Sequence, residues 1–514
     1  MSCVSSISQG QAQEPSISFW TSLRNRLPLD HTIFAGISLA TLISVAFMSR
    51  HVSFWYDELY TIGLASHNSL SGALAPGIAM KDPIPPLYTV FLWLWIRVLN
   101  PFRPFGEIWL ILPSIIAISI TIFMTGLIAR RVIGSGPISW IACLLCALSA
   151  NWVRTGAQVR YYGFLFMLSA VVLYLYVRLR MQNQVNNRWA FRITLGVAMA
   201  VTVMTGYSTL FWLTSLFLID AFWIIRKKLA LLELSSYAIG ALICLPWGLL
   251  VSITMLSGNG RDFLSEAWPP APTLVGAITT YSSMATTLPM TLLYLFSVVL
   301  IIVAMSTSKV NRNTAQARLN ICFLLSPAIF ILLILLYSIA TASHGSLMVS
   351  RYFYQVWPML CLTMAQAVAI VLRAWRPSKS TLRGLVISSL VIVCALLQTF
   401  SFLTDYSGHP HFQTSQPYSS VVTFLNQQPE IRSSTTIVYV PNAHMSVRGW
   451  EYFYVTAQGT KHGFQVTSAA PFDYQLVYVF YPTFDSWTPT QTFTAQYTLV
   501  NQDKDLHIAI YQRS

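Results

Sequence analysis

The chain has 514 residues, of which 55% belong to the hydrophobic set and only 9% are charged. Its mean hydropathy is +0.57, and a soluble chain needs roughly 25% charged residues to cover its surface. This composition excludes a string of soluble domains, a disordered chain, a collagen-like repeat and a disulfide scaffold, and it defines a polytopic membrane protein. The net charge of +14 does not point to nucleic acid. Residues 1–402 hold 26 Lys+Arg and 10 Asp+Glu, whereas residues 403–514 hold 5 and 7. The excess sits in short connections between apolar runs, as the positive-inside rule requires.

Residues 1–31 read as a polar cytoplasmic segment with Arg24 and Arg26 ahead of the first apolar run. That run is read as an anchor, because no convincing cleavage site follows it. Helix-length apolar segments follow at 32–49, 84–99, 108–129, 138–153, 161–177, 193–209, 210–225, 229–253, 284–305, 319–341, 352–372 and 384–402. Backbone groups in hydrocarbon must bond within their own segment, so these are helices, roughly 11–13 of them. The clusters Arg178/Arg180/Arg188/Arg192, Arg226/Lys227/Lys228, Lys309/Arg312/Arg318 and Arg373/Arg376/Lys379/Arg383 predict the cytoplasmic side. A cytoplasmic start and an external tail demand an odd number of crossings, and twelve segments are even. The segment 84–99 is short and opens with Pro83, Pro85 and Pro86; if it crossed fully, Arg130 and Arg131 would fall on the wrong side. A re-entrant 84–99 is one resolution.

Residues 50–83 form the first external loop, with a mildly amphipathic stretch at 59–75 suited to the membrane surface. From 403 onward the pattern changes. Residues 418–428 read as a helix, and alternation at 436–440, 475–480 and 506–510 predicts strands. This is an external α/β domain spanning 403–514, behind a membrane domain spanning 32–402.

Four places carry candidate chemistry, all on the predicted external side. Asp57 and Glu58 are adjacent acids, costly near a bilayer unless solvated, paired or metal-bound. A carboxylate beside an acceptor hydroxyl can take its proton as a bond forms. Lys81 to Tyr88 re-enters the membrane through three prolines. Arg160, before Tyr161 and Tyr162, and Arg351, before Tyr352, lie on the side the charge rule disfavours, and Arg fits phosphate oxygens bidentately. His344 sits in the Arg351 loop. Cys143 and Cys146 form a CxxC inside an apolar run without His partners, which reads as core packing. No nucleotide-binding glycine motif occurs. The leading alternative is a transporter of an anionic or lipid-linked substrate, which would carry midplane charges, with Asp220 as the main acidic candidate within a span.

Trp55-Tyr56-Asp57-Glu58 followed by Lys81-Asp82-Pro83-Ile84-Pro85-Pro86-Leu87-Tyr88 resembles the first-loop signature of the GT-C glycosyltransferases. The similarity is to the protein mannosyltransferase and aminoarabinose transferase branch, the family 39-like proteins. Leu112-Pro113-Ser114, Arg160-Tyr161-Tyr162 and Arg351-Tyr352 fall in family order, and the resemblance covers the chain after residue 30. Two positions depart from it: Ile111 and Gly206 stand where many relatives have Arg and His.

The resemblance implies a GT-C fold and a plasma (inner) membrane enzyme that moves a hexosyl or pentosyl group from polyprenyl phosphate to a lipid, glycan or protein acceptor, with inversion. It implies Asp57 as catalytic acid/base with Glu58 beside it, and a substrate site built from Lys81, Tyr88, Arg160, Tyr161, His344, Arg351 and Tyr352. No cofactor is required, a divalent metal at Asp57/Glu58 stays open, and no nucleic acid is expected.

Overall fold

A computed structural model describes residues 29–49, 54, 56–78, 85–99, 108–181, 188–256, 288–307, 315–340, 350–374, 418–441, 455–456, 458–469, 471, 473–480, 489–503 and 508–514. The described residues of the membrane part form helices and the turns that join them. Its long elements are α1 (Leu29–Ser49), α5 (Ile108–Val132), α8 (Tyr162–Met181), α9 (Arg188–Val203), α10 (Thr209–Ile225), α11 (Ser235–Leu256), α12 (Leu288–Thr307), α13 (Ala315–Ala340) and α14 (Trp357–Ala374). Shorter helices are α2 (Tyr56–Ala65), α3 (Leu70–Ile78), α4 (Pro86–Leu99), α6 (Pro137–Ala147) and α7 (Ala150–Gly156). Among the described residues, six helical stretches are long and apolar enough to cross a bilayer unaided. The predicted segment 384–402 lies outside the described residues.

The helices alternate between two ends of the bundle. At one end Asp30 gathers the start of α1, the end of α5 and the start of α6. Its carboxylate meets Arg130 Nε at 3.3 Å and accepts from Trp140 Nε1 at 2.8 Å and the Gly136 N–H at 3.2 Å. Arg131 reaches the Tyr174 hydroxyl at 3.4 Å, which brings the end of α8 to the same side. There Arg180 pairs with Asp220 and Glu233, and Arg192 pairs with Glu233. The Tyr176 and Tyr237 hydroxyls complete Asp220 at 2.8 and 2.9 Å. The loop cations of the sequence reading are therefore not all solvated: Arg180 and Arg192 are buried in a closed network of two cations and two acids. Asp220, the candidate transport acid, is committed to it.

At the other end Gly163 carries the chain past two other backbones. A Cβ there would lie 2.5 Å from the Gly156 carbonyl oxygen and 2.9 Å from that of Ser114. Only glycine permits this approach, and small residues at helix contacts are the usual device for bringing membrane helices together.

Helix α4 bears on the parity problem. It starts at the Gly163 end, where the Leu87 N–H bonds the Met204 carbonyl at 3.1 Å. It also finishes there. Arg97 Nη2 donates to the carbonyls of His67 and Asn68, at 2.5 and 2.9 Å, in the turn between α2 and α3. Trp95 Nε1 donates to the Trp109 carbonyl, at the start of α5, at 2.9 Å. Fourteen residues span about 21 Å, short of the ~30 Å hydrocarbon thickness. So α4 does not carry the chain to the opposite end, and Arg130 and Arg131 lie at the same end as Arg180 and Arg192.

The tail forms a five-stranded sheet, order β2-β1-β3-β5-β4, from β1 (Thr436–Tyr439), β2 (Val466–Thr467), β3 (Leu476–Phe480), β4 (Tyr497–Asp503) and β5 (Ile508–Arg513). Strands β2, β1 and β3 are parallel, and β5 pairs antiparallel with β3 and β4. The alternation in β3 is two-sided. Val477 and Val479 pack with Ile437, Phe493 and Tyr511, while Tyr478 and Phe480 join the larger core with Val421, Leu425 and Ile431. The expected helix at 418–428 is α15 (Tyr418–Gln427). Strands β2 and β4 were not legible, one because it has two residues and the other because its middle is exposed.

Candidate active site

Helix α2 begins at Tyr56, earlier than the predicted 59–75 surface helix, and α3 follows as a second helix. Asp57 and Glu58 thus occupy the first turn of α2, where acids favourably meet unpaired backbone N–H groups. Adjacent residues on a helix point about 100° apart, so the two acids have different surroundings.

Asp57 faces two cations. Its Oδ2 lies 3.6 Å from Arg160 Nη2 and 3.3 Å from Arg351 Nη1. These three side chains retain 17%, 11% and 21% exposure. Arg160 arrives from the turn before α8, and Arg351 from the single turn Ser350–Phe353 that leads through a 3-10 turn into α14. Glu58 instead is buried, and its Oε1 accepts the Val159 N–H at 2.6 Å. The cations outnumber the acid that faces them, so the Asp57 cluster suits an anionic ligand.

Aromatic rings wall the cluster. The Arg160 guanidinium carbon is 5.7 Å from the Tyr161 ring centre, and that of Arg351 lies 6.0 and 5.8 Å from Tyr162 and Tyr352. Rings at such distances attract the cations through their quadrupoles. Tyr161 also packs beneath Gly206, where a Cβ would approach its Cε2 to 3.3 Å and the Leu165 methyls to 2.9 and 3.0 Å. The glycine that departs from the family pattern is therefore matched here by close packing.

The structure brings together Asp57, Arg160, Tyr161, Arg351 and Tyr352. Tyr88 is placed differently from a substrate-facing group: it is buried, edge-on to Phe164 at 5.4 Å and stacked with Phe91 at 6.3 Å. It nevertheless lies within electrostatic reach of Glu58 and Arg160. Lys81 and His344 lie outside the described residues. Sequence reasoning missed Thr61, which accepts from Arg160 Nη1 at 2.8 Å. The i, i+4 spacing from Asp57 was the available signal, hidden by starting the helix at 59.

Among the described residues no group of three His, Cys, Asp or Glu side chains converges as a metal site. The donor set at Asp57/Glu58 fits a divalent ion poorly, because one carboxylate faces two guanidinium groups and the other is turned to Val159.

The bundle, the short helices after α1 and the α/β tail together define the class: a multi-pass membrane protein of GT-C fold. No family profile and no curated protein matches the chain by sequence. The fold is similar to that of ArnT from Cupriavidus metallidurans bound to undecaprenyl phosphate. The TM-score is 0.55 at 13% identity, over 93% of this chain and 97% of that chain. The apo state of that protein matches with a TM-score of 0.53 at the same identity and coverage.

Proposed function

We propose that the chain is a glycosyltransferase that moves a hexosyl or pentosyl group from a polyprenyl-phosphate carrier to an acceptor at the external face of the membrane. The observation that carries this reading is the single carboxylate of Asp57 held between Arg160 and Arg351, from two separate elements, at one end of the bundle. A solved neighbour of the same fold binds undecaprenyl phosphate, which supports a lipid phosphate as the anion. Arg130, Arg180, Arg192 and Lys228 gather at the opposite end, so the positive-inside rule assigns the Asp57 end to the outside.

The chemistry follows from the charges. The incoming phosphate engages Arg160 and Arg351 through its oxygens, which leaves the Asp57 carboxylate free to face the acceptor. The acceptor hydroxyl attacks the anomeric carbon, the bond from that carbon to the phosphate oxygen breaks, and Asp57 takes the acceptor proton. The guanidinium groups stabilise the charge growing on the departing polyprenyl phosphate. Direct displacement inverts the anomeric configuration. Phosphate leaves without protonation, so the second carboxylate of a glycosidase is not needed. Lys81 belongs to this reading as a further group to hold the phosphate, and His344 as a substrate-binding residue.

The test is transfer by the purified full chain, wild type against Asp57→Asn, across a panel of polyprenyl-phosphate sugars. The wild type should consume a donor and the variant should not. Equal transfer by the variant at equal expression overturns the role of Asp57.

A further inference from the structure

We propose that Glu58 and Thr61 are positioning residues that fix Arg160 beside Asp57, so that Glu58 acts on the reaction through the arginine turn. The inference rests on the glycosyltransferase reading and goes beyond it by dividing the acidic pair between two jobs.

The geometry is a two-point clamp. Glu58 Oε1 accepts the N–H of Val159, the residue preceding Arg160, at 2.6 Å. This holds the backbone of the turn against the start of α2. The second point holds the side chain: Arg160 Nη1 donates to Thr61 Oγ1 at 2.8 Å and to the Asp57 carbonyl at 3.2 Å. The Thr61 hydroxyl gives its own proton to that same Asp57 carbonyl, at 2.8 Å. Its proton being used, the oxygen meets Arg160 as an acceptor. Anchoring the guanidinium through Nη1 presents Nη2 to the Asp57 carboxylate at 3.6 Å.

Both clamp residues are 3% exposed. Asp57 and Thr61 are one helical turn apart and share a face, while Glu58 is rotated toward the 158–160 turn. The base and the arginine are therefore carried as one unit by the first two turns of α2. A side chain as long as Arg loses considerable rotamer freedom when fixed, and the clamp supplies that ordering before the phosphate arrives.

The experiment measures polyprenyl-phosphate binding on the purified full chain, with thermal unfolding run alongside. Thr61→Val keeps the shape but removes the hydroxyl, and should weaken binding about tenfold, the loss expected for one hydrogen bond to a charged group. Thr61→Ser should restore it. Glu58→Ala should weaken binding similarly, and Glu58→Gln, which keeps an acceptor oxygen, should rescue it. Wild-type binding in Thr61→Val, or Glu58→Gln as impaired as Glu58→Ala, overturns the clamp. If the wild type itself binds no polyprenyl phosphate, the glycosyltransferase reading falls first.

Discussion

Arg351 and Asp57 are 294 positions apart in sequence and meet at 3.3 Å. With Arg160 on the same carboxylate oxygen, the contact makes Asp57 a stand-in for the anion the site is built to receive. Removing the charge of Asp57 should therefore separate binding from chemistry. Asp57→Asn should lower kcat by about 10²–10⁴-fold, the usual worth of a general base. It should bind polyprenyl phosphate as tightly as the wild type or more tightly, because the phosphate no longer competes with a carboxylate. Paired measurements of kcat and Kd check this, and a parallel fall in affinity would contradict the exchange of partners.

Arg351 itself is exposed enough to meet a ligand, and its planar fork matches phosphate in a way an ammonium does not. Arg351→Lys should retain the charge yet lose much of the affinity, with Arg351→Ala losing more. Isothermal titration of the full chain with polyprenyl phosphate reads both. Lys binding as well as Arg would mean that the site uses charge alone.

Gly163 sets where the Arg160 turn lies. Gly163→Ala would push a methyl into the carbonyl oxygens of Gly156 and Ser114. Backbone atoms cannot step aside as a flexible side chain can, so overpacking should cost about 1–3 kcal/mol. The expected result is a lower unfolding temperature together with weakened phosphate binding, because α5, α7 and α8 must separate where Arg160 is held.

The buried network at the opposite end should respond differently. Asp220→Asn leaves Arg180 with less compensation in a dry interior, and breaking such a pair costs about 3–5 kcal/mol. Thermal unfolding in detergent should show the loss, while the protein that remains folded keeps its phosphate affinity. Altered affinity without loss of stability would revive a transport role for Asp220.

Most of the helical layout was legible because hydrocarbon imposes one solution on an apolar run. The segments 108–129, 161–177 and 319–341 match α5, α8 and α13 to within a few residues at each end. Sidedness made Asp57, Arg160 and Arg351 legible as a set, since two arginines stood where the charge rule disfavours them. The roles inside the acidic pair were not legible. Whether Glu58 faces a substrate or the Val159 N–H depends on where α2 begins and on a turn 101 positions away. The Asp220–Arg180–Glu233–Arg192 network was hidden for a related reason: loop charges and buried partners look alike until the helices are assembled.

The last prediction concerns α4, whose hydrophobicity reads as a crossing and whose contacts do not. Its final turn is tied to the α2–α3 turn by Arg97 and to the start of α5 by Trp95. Neither bond is compatible with an end on the far side of a bilayer about 30 Å thick. In a background with the seven cysteines replaced, Asn68→Cys and Leu99→Cys should be modified from the same side by a membrane-impermeant maleimide. Lys228→Cys, beside Arg318 at the opposite end, should be modified from the other side. Labelling of Leu99→Cys together with Lys228→Cys would restore the crossing. It would also move Arg130 and Arg131 to the external face, against both the charge rule and the Asp30–Arg130 pair.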